Sequence, residues 1–157
     1  MRMDTNNTAQ LAQATAHKTA ISRTRGLSVP MRILNGQHDA ILANKTVLDY
    51  GCGRGEDADA LKFKKFDPHF FPDMPEGRFD IVVNNYVLNV LPIDKQDELI
   101  AKILAKVKVG GKAFITVRRD VKKEGFTSKG TYQRNVTLNF PVFFEKKGQY
   151  CIYEIAN

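Results

Sequence analysis

The sequence is poor in the features that mark secreted, membrane-spanning and metal-binding proteins. It has only two cysteines, Cys52 and Cys151, which are too few for a disulfide scaffold and are expected to be free thiols in a reducing cytoplasm. It has no run of about 18 apolar residues that could cross a membrane and no continuous apolar signal region at the N-terminus. Its histidines, His17, His38 and His69, lack metal-ligand spacing with cysteines or acids, so no metal is expected. We therefore expect a cytoplasmic protein with neither a membrane-spanning segment nor a metal site.

Acidic residues are scarce in two segments, and this gives the chain its net charge of +7. Residues 1–45 carry six Lys or Arg against two acids, and residues 118–134 also carry six against two. Residues 46–117 are near neutral, with ten against eleven, and residues 135–157 balance. Two basic segments around a near-neutral core suggest an anionic partner, most simply nucleic acid. Ordinary solubility charge is the alternative.

The length of 157 residues is that of one domain. Residues 1–8 are polar and predict a disordered tail. Residues 9–44 predict two helices, the first over residues 9–24 and the second with Ser28 as its N-cap. Their apolar positions are Leu11, Ala14 and Ile21 in the first helix and Met31, Ile33 and Leu34 in the second. Residues 45–157 predict an α/β core.

The most informative pattern is a strand followed by a glycine loop. The apolar run 46–48 predicts a buried parallel strand, and Asp49 follows at its end. The loop then reads Gly-x-Gly-x-Gly, with Gly51, Gly53 and Gly55, and glycine permits a tight turn and a close approach of the backbone to a ligand. A strand, a glycine loop and a helix in this order form the nucleotide-cofactor-binding motif of doubly wound α/β folds. A tight turn without a ligand is the alternative.

The glycine spacing and two acids indicate which cofactor this loop suits. A dinucleotide fingerprint is Gly-x-Gly-x-x-Gly, which leaves the helix start free for a pyrophosphate. Here the glycines alternate, and Glu56 and Asp57 occupy the helix start, where they repel phosphate and suit a cationic ligand. The segment 49–55, Asp-Tyr-Gly-Cys-Gly-Arg-Gly, resembles motif I of the class I S-adenosylmethionine-dependent methyltransferases. The resemblance implies S-adenosylmethionine as the cofactor, and we interpret Cys52 as a small residue that fits the loop.

Polar residues follow the next two predicted strands, at the edge of the sheet where α/β folds bind ligands. The second strand ends in Asp67, an acid that suits ribose hydroxyls; a solvated loop acid is the alternative. The strand 79–83, which is apolar apart from Asp80, predicts burial on both faces and is followed by Asn84, Asn85 and Tyr86. An Asn amide could accept a hydrogen bond from a nucleobase amine, and Tyr86 could stack on a base. We interpret these three as candidate catalytic residues, with capping of the next element as the alternative.

The second half of the chain predicts one long helix and three strands. The helix buries an apolar face that runs to Val107 and ends at Gly110. A buried strand follows over residues 113–117. Residues 136–140 and 150–155 alternate in part between apolar and polar, and we expect them to form an antiparallel edge pair.

The order of these elements resembles class I methyltransferases over residues 45–155. Five segments also resemble small phage-type methyltransferase proteins and the methyltransferase-like part of proteins associated with DNA phosphorothioation: 17–23, 27–30, 48–55, 86–90 and 128–131. The resemblance implies an α/β, minimal Rossmann-like methyltransferase fold, mostly a parallel sheet with an antiparallel C-terminal strand pair. It implies these cofactor-binding residues: Asp49, Tyr50, Gly51, Cys52, Gly53, Gly55, Asp67 and Asn84.

One part of that fold is missing from the sequence. Asp80 follows Asp67 by only 13 positions, whereas the full fold needs about 40 residues there, and a strand–helix–strand crossover alone needs at least a dozen residues beyond its strands. We therefore predict that the third strand and its helix are missing. Phe70, Phe71 or Met74 could cover the adenine in place of the lost strand, or could pack under a loop. The open sheet edge could pair with a second copy of the chain, which allows a homodimer.

Acceptor recognition is expected at basic and hydroxyl residues near the carboxyl edge of the sheet, where they could bind phosphates. The candidates are His17, Lys18, Arg23, Arg118, Arg119, Ser128 and Lys129, with solvated charge as the alternative for each. Methyl transfer needs mainly positioning from a protein. We expect an S-adenosylmethionine-dependent methyltransferase that acts on nucleic acid or a nucleotide-like acceptor. The alternative is a non-catalytic accessory protein that binds S-adenosylmethionine or nucleic acid on a reduced methyltransferase fold.

Overall fold

The computed structural model describes residues 5–20, 26–36 and 41–157. Its helices are α1 (Thr5–Thr15), α2 (Val29–Gly36), α3 (Glu56–Leu61) and α4 (Gln96–Leu104), and its 3₁₀ turns are Ala16–Thr19, Leu88–Val90 and Ile93–Lys95. Its strands are β1 (Val47–Tyr50), β2 (Lys64–Phe66), β3 (Phe79–Asn85), β4 (Val107–Arg118), β5 (Gly125–Phe126), β6 (Tyr132–Gln133), β7 (Val142–Lys146) and β8 (Tyr150–Ala156). Among these residues, no helix is long and apolar enough to cross a membrane.

Six of the strands form one sheet, in the order β2-β1-β3-β4-β8-β7. The first four are parallel to one another. β8 pairs antiparallel with β4, and β7 pairs antiparallel with β8. The predicted α/β fold, with a mostly parallel sheet and an antiparallel C-terminal strand pair, is therefore confirmed.

Helices cover both faces of this sheet because successive side chains of its central strands point to opposite sides. Val47 of β1 belongs to an apolar cluster that includes Met31 of α2. The next residue, Leu48, belongs to the cluster on the other face, which includes Ile103 of α4. The sheet is thus the middle of three layers, and its carboxyl edge lies open between them.

The predicted loss of the third strand is also confirmed. β2 is the outermost strand on its side of the sheet. The chain passes from β2 to β3 through residues 67–78, all of which are described, and their one pairing is an isolated bridge between Asp67 and Phe71. A segment of this length forms a loop and has no room for a strand and a helix.

The start of the chain differs from the prediction. α1 begins at Thr5, so the predicted tail over residues 1–8 is wrong for residues 5–8, and residues 1–4 lie outside the described part. Ala9 and Ala12 are 3% and 0% exposed. Small buried residues let the helix approach its neighbours closely, and most of the stability of a short helix comes from such packing.

The first helix also ends earlier than predicted and buries a different face. It stops at Thr15, whose hydroxyl donates to the carbonyl of Leu11 at 2.9 Å, and a side-chain bond of this kind competes with regular helix geometry. The predicted helix over residues 9–24 is therefore too long. Leu11 is 41% exposed, Ala14 is exposed, and Ile21 lies outside the described residues, so the predicted apolar face is wrong.

α4 is shorter than the predicted helix, because the last residues of the predicted helix belong to β4. Val107 pairs with Phe79 of β3, and the register shifts before the next pair. At this irregularity the backbone comes so close that a Cβ on Gly111 would lie 2.6 Å from the carbonyl oxygen of Asp80. The glycine pair at 110–111 therefore permits a bulge inside a strand. The prediction that it ends a helix is wrong.

The strand partner of β8 is a different segment from the predicted one. Residues 136–140 are not a strand; Val136 and Leu138 are buried in irregular structure. β7, at Val142–Lys146, pairs with β8 instead. Gly148, with φ +73°, lies in the short turn between β7 and β8, and a short turn with a left-handed glycine fixes which residues pair in a hairpin.

Candidate functional site

A cavity of about 770 Å³ opens at the carboxyl edge of the parallel strands, and we call it the central cavity. This is the place and the size expected of a small-molecule site in an open α/β sheet. The wall includes residues of the glycine loop, of the ends of β2 and β3, of the first 3₁₀ turn and of α4. The sequence pattern at residues 49–55 therefore borders a recess large enough for a small molecule at this edge of the sheet.

The glycine loop has a backbone that other residues adopt only with strain. Gly51 has φ +85°, and its amide donates to the carbonyl of Phe66 at 2.7 Å. A Cβ on Gly51 would lie 2.5 Å from Cγ2 of Val87. Gly53 has φ +57°, and a Cβ there would lie 3.2 Å from the Cβ of Ala20. Glycine at both positions lets the loop bend in the left-handed region and fit under its neighbours.

Asp67 holds this loop to the end of β2. Its Oδ2 accepts a hydrogen bond from the amide of Gly53 at 2.9 Å. Its Oδ1 accepts from the amides of His69 and Phe70 at 2.9 and 3.1 Å. A carboxylate has about four lone-pair positions, so three backbone donors leave one for a ligand hydroxyl. Asp67, which lines the central cavity, therefore organises the loop and retains the capacity to bind ribose.

Asp49, Tyr50 and Cys52 surround the start of the loop and line the central cavity. Asp49 is 3% exposed, at the third position of β1. Burial raises the pKa of Tyr50, against the opposing charge of Lys102. Burial, together with the carboxylates of Asp49 and Asp67, raises the pKa of Cys52 to about 12. The Cys52 thiol is therefore protonated at neutral pH, and it contributes a small, uncharged side chain to the loop.

The buried Asp57, on α3, attaches the start of α2 to the site through hydrogen bonds. Its two oxygens accept from the amide and the hydroxyl of Ser28, at 2.8 and 2.7 Å. Ser28 stands just before α2 and its carbonyl accepts from the amide of Arg32 at 2.9 Å. The predicted N-cap position is therefore right, but the Ser28 hydroxyl binds Asp57. This pairing joins residues 29 positions apart, and no local sequence pattern predicts it.

The three residues after the apolar part of β3 have different environments. Asn84 is fully buried, donates from Nδ2 to the carbonyl of Tyr50 at 2.7 Å, and is not among the cavity-lining residues. Asn85 lines the central cavity, and both atoms of its amide are buried without a hydrogen-bond partner among the described residues. Tyr86 also lines the cavity, has φ +61°, and burial raises its pKa. The structure thus places Asn85 and Tyr86 at the cavity, and Asn84 beneath it.

Few of the predicted acceptor-binding residues reach the central cavity. His17 lines it, Lys18 does not, and Arg23 lies outside the described residues. Neither Ser128 nor Lys129 lines it.

Two arginines of that set are engaged elsewhere. Arg118 donates to Asp120 at 2.8 Å. Arg119 forms hydrogen bonds with Glu145 of β7 and with the hydroxyl of Tyr153 of β8. Arg119 therefore joins three segments of the C-terminal half.

Sequence reasoning missed the part of the cavity wall that comes from α4 and the turn before it. Lys95, Glu98, Leu99 and Lys102 line the central cavity. Their spacing is that of one helix face. Nothing in the sequence indicated that this face borders a ligand cavity, because the position of α4 beside the glycine loop depends on packing between residues far apart in sequence. Among the described residues, no group of three or more His, Cys, Asp or Glu could hold a metal ion.

Comparison with known proteins gives a family match and several structural likenesses. A family model described as "Methyltransferase domain" matches residues 28–154. The 1,6-didemethyltoxoflavin-N1-methyltransferase of Burkholderia thailandensis, with bound 1,6-didemethyltoxoflavin and S-adenosylhomocysteine, is similar at TM-score 0.64 and 17% identity, over 98% of this chain and 90% of that one. The DhpI–SAH complex is similar at TM-score 0.56 and 13% identity, over 96% and 97% of the two chains.

An O-methyltransferase family protein of Burkholderia thailandensis is similar at TM-score 0.54 and 13% identity, over 96% of this chain and 59% of that one. No sequence among the curated proteins matches this chain. At these identities the structural likenesses establish the fold, while the match over residues 28–154 concerns the family.

Proposed function

Since the chain belongs to the methyltransferase domain family, we propose that it transfers the methyl group of S-adenosylmethionine to nucleic acid or a nucleotide-like acceptor. The observation that carries the proposal is the left-handed glycine loop, which lies between Asp49 and Asp67 on the wall of the central cavity. A loop of this shape brings backbone within contact distance of a ligand. The finer resemblance to small phage-type proteins and to proteins of DNA phosphorothioation is part of the same proposal.

The residues at the central cavity fit S-adenosylmethionine as the cofactor. The ligand carries an ammonium group, a sulfonium and a ribose, and the cavity wall offers Asp49, Glu56 and Asp67. Carboxylates suit the two cationic groups, because opposite charges attract strongly in a partly buried site. The remaining lone-pair position of Asp67 suits a ribose hydroxyl.

Bound S-adenosylmethionine supplies a methyl carbon on a positively charged sulfur, so an acceptor lone pair can form the new bond while the carbon–sulfur electrons return to sulfur. The contribution of the chain is to hold and orient the two reactants, and positioning of this kind provides much of the rate in such reactions. The buried Asn85 amide, with a donor and an acceptor both unpartnered, is suited to orient an acceptor group with a complementary edge. The raised pKa of Tyr86 keeps its hydroxyl neutral, so this residue can donate a hydrogen bond.

The proposal of an anionic acceptor rests on three lysines of the second basic segment. Lys122, Lys123 and Lys129 are exposed, and among the described residues none of them has a salt bridge. The three arginines of that segment, in contrast, bind protein groups; Arg134, for example, donates to the carbonyl of Leu91 at 2.6 Å. Exposed lysines without a salt bridge to any described residue are suited to bind phosphates, and this supports nucleic acid or a nucleotide-like molecule as the acceptor.

One observation favours a non-catalytic accessory role as the second candidate. The side chains at the carboxyl end of β3 are the amides of Asn84 and Asn85 and the phenol of Tyr86, whose pKa is raised, so none of them is a base at neutral pH. An acceptor that must lose a proton would need a base from elsewhere. A protein that binds S-adenosylmethionine without transferring its methyl group would not need one.

Two measurements test these alternatives. Calorimetric titration with S-adenosylmethionine should give binding to the native protein and to Asp73→Asn, an exposed acid outside the cavity wall. Asp49→Asn should bind at least about tenfold more weakly, which is 1.4 kcal/mol, with thermal unfolding as the check that it folds. Transfer of labelled methyl to DNA or RNA supports the enzyme. Binding without transfer to nucleic acids or nucleotides supports the accessory role, and absence of binding contradicts both.

A further inference from the structure

The central cavity extends beyond the glycine loop towards α4, and this extension has its own chemistry. We call a set of five cavity-lining residues the α4 wall: Tyr50, Phe66, Glu98, Leu99 and Lys102. We propose that three of them, Tyr50, Phe66 and Leu99, bind the purine base of the cofactor. This inference rests on the proposed function, since it concerns the same cofactor.

The α4 wall has an apolar floor. Tyr50 and Phe66 are neighbours across β1 and β2, and their rings meet edge to face with centroids 5.0 Å apart and an interplanar angle of 63°. Leu99 and Phe66 are partly buried and pack against the same apolar cluster. All three line the central cavity. An aromatic pair beside an aliphatic side chain is a surface on which a planar heteroaromatic ring can stack.

The position of Asp67 determines which part of the cavity the base would enter. Asp67 follows Phe66 directly, so a ribose bound at Asp67 places its attached base beside the end of β2. Phe71 lies against the loop, 3.0 Å from the Cβ position of Gly55, and Met74 packs into the core. None of the three loop residues predicted to cover the adenine lines the cavity, so we place the base against the α4 wall, which does.

The rim of the α4 wall has polar groups that complement a purine edge. The Glu98 carboxylate lies 3.1 Å from Nζ of Lys102 and 3.9 Å from Nζ of Lys95. These pairs are partly exposed, and exposed pairs contribute little to stability, so a ligand can displace them. Glu98 can then accept a hydrogen bond from an exocyclic amine, and a lysine can donate to a ring nitrogen. An amine-bearing purine fits this rim better than a purine with a carbonyl at that position.

A pair of tryptophan variants on α4 tests the floor. Leu99→Trp fills the space that the base would occupy. Leu104→Trp changes a partly buried residue of the same helix and the same apolar cluster that does not line the cavity. Base stacking on a protein surface contributes about 1–3 kcal/mol, so S-adenosylhomocysteine should bind Leu99→Trp about 10- to 100-fold more weakly. Calorimetry gives the affinity, and circular dichroism with thermal unfolding shows that both variants fold.

A second comparison tests the rim and stays informative if Leu99→Trp is unstable. The native protein should prefer S-adenosylhomocysteine over S-inosylhomocysteine, in which a carbonyl replaces the amine, by about tenfold, the value of one hydrogen bond of 1.4 kcal/mol. Glu98→Gln should lose most of this preference, and Glu76→Gln, an exposed acid outside the cavity, should keep it. If the native protein binds but neither Leu99→Trp nor Glu98→Gln changes binding, the α4 wall is not the base site and the proposed function stands. If the native protein does not bind, the proposed function itself is wrong.

Discussion

The imidazole rings of His17 and His69 stack face to face, with centroids 3.8 Å apart and planes 14° from parallel. His17 belongs to the 3₁₀ turn after α1, and His69 belongs to the loop after β2. Phe70 meets both rings edge to face, at 6.4 and 4.7 Å, and Arg54 of the glycine loop lies over the Phe70 ring at 5.3 Å. This aromatic cluster connects the N-terminal turn with the loop that holds Asp67, on the wall of the central cavity.

Breaking the histidine stack is expected to weaken cofactor binding without unfolding the protein. Stacked rings contribute about 0.5–1.5 kcal/mol beyond their burial, so His17→Ala should weaken S-adenosylhomocysteine binding by about two- to tenfold. Amide hydrogen exchange should become faster in residues 16–20, because the turn loses its contact with the β2 loop. His17→Phe, which retains a ring, should stay close to the native protein. Equal exchange rates in His17→Ala and the native protein would contradict a role of the stack in holding the turn.

Gly51→Ala is expected to lower the free energy of unfolding by more than the strain of a left-handed backbone alone would. An L-residue in that conformation costs about 1–2 kcal/mol, and the added Cβ would also lie 2.5 Å from Val87. Gly130 is the matched control, since it has φ +79° with nothing within 4 Å of its Cβ position. Gly51→Ala should therefore lower the free energy of unfolding more than Gly130→Ala, as measured by urea denaturation. Equal losses would show that the close contact with Val87 does not restrict this position.

The Ser28–Asp57 pair is expected to stabilise the attachment of α2. A hydrogen bond to a charged group contributes about 1.5–3 kcal/mol, so Ser28→Ala should lower the free energy of unfolding by that amount. Ser128→Ala, at an exposed serine, should change it by less than about 0.5 kcal/mol. A double-mutant cycle with Asp57→Asn should show strong coupling between the two positions. Independent, additive effects would mean that the two side chains do not depend on each other.

The high pKa of Cys52 predicts a thiol that reacts slowly. With a pKa of about 12, only about one molecule in ten thousand carries the thiolate at pH 8, and the thiolate is the reactive form. The reaction with a thiol reagent should therefore be slow at pH 8 and become about tenfold faster per pH unit, as long as the fold persists. Cys151→Ala isolates this rate, since Cys151 is fully buried with a raised pKa. Rapid modification of folded Cys151→Ala at pH 7 would contradict the raised pKa of Cys52.

Arg119 is expected to act on the stability of the C-terminal half. It joins Glu145 and Tyr153, so Arg119→Met should lower the free energy of unfolding by about 1–3 kcal/mol. Arg118→Met removes an exposed pair with Asp120 and should cost less than about 1 kcal/mol. Chemical denaturation measures both, and a filter-binding assay with DNA measures whether either residue contributes to acceptor affinity. A loss of DNA binding in Arg119→Met at unchanged stability would restore the predicted acceptor role.

Local sequence patterns predicted the centre of the fold because they depend on interactions close along the chain. The apolar run before Asp49 and the alternating glycines fix a strand, a left-handed loop and a helix whatever lies further away. The short interval between Asp67 and Asp80 fixes the loss of the third strand by chain length alone. Where two segments had similar patterns, as residues 136–140 and β7 do, the turn at Gly148 decided the pairing.

The parallel sheet, the glycine loop and the reduced size of the fold follow from residue type and spacing alone. How these parts form a site depends on long-range packing. It brought Ser28 to Asp57 and His17 to His69, and it set Asn84 beneath the cavity while Asn85 lines it. It also placed one face of α4 on the cavity wall. Contacts between residues far apart in sequence depend on the packing of the whole chain, and no local pattern encodes them.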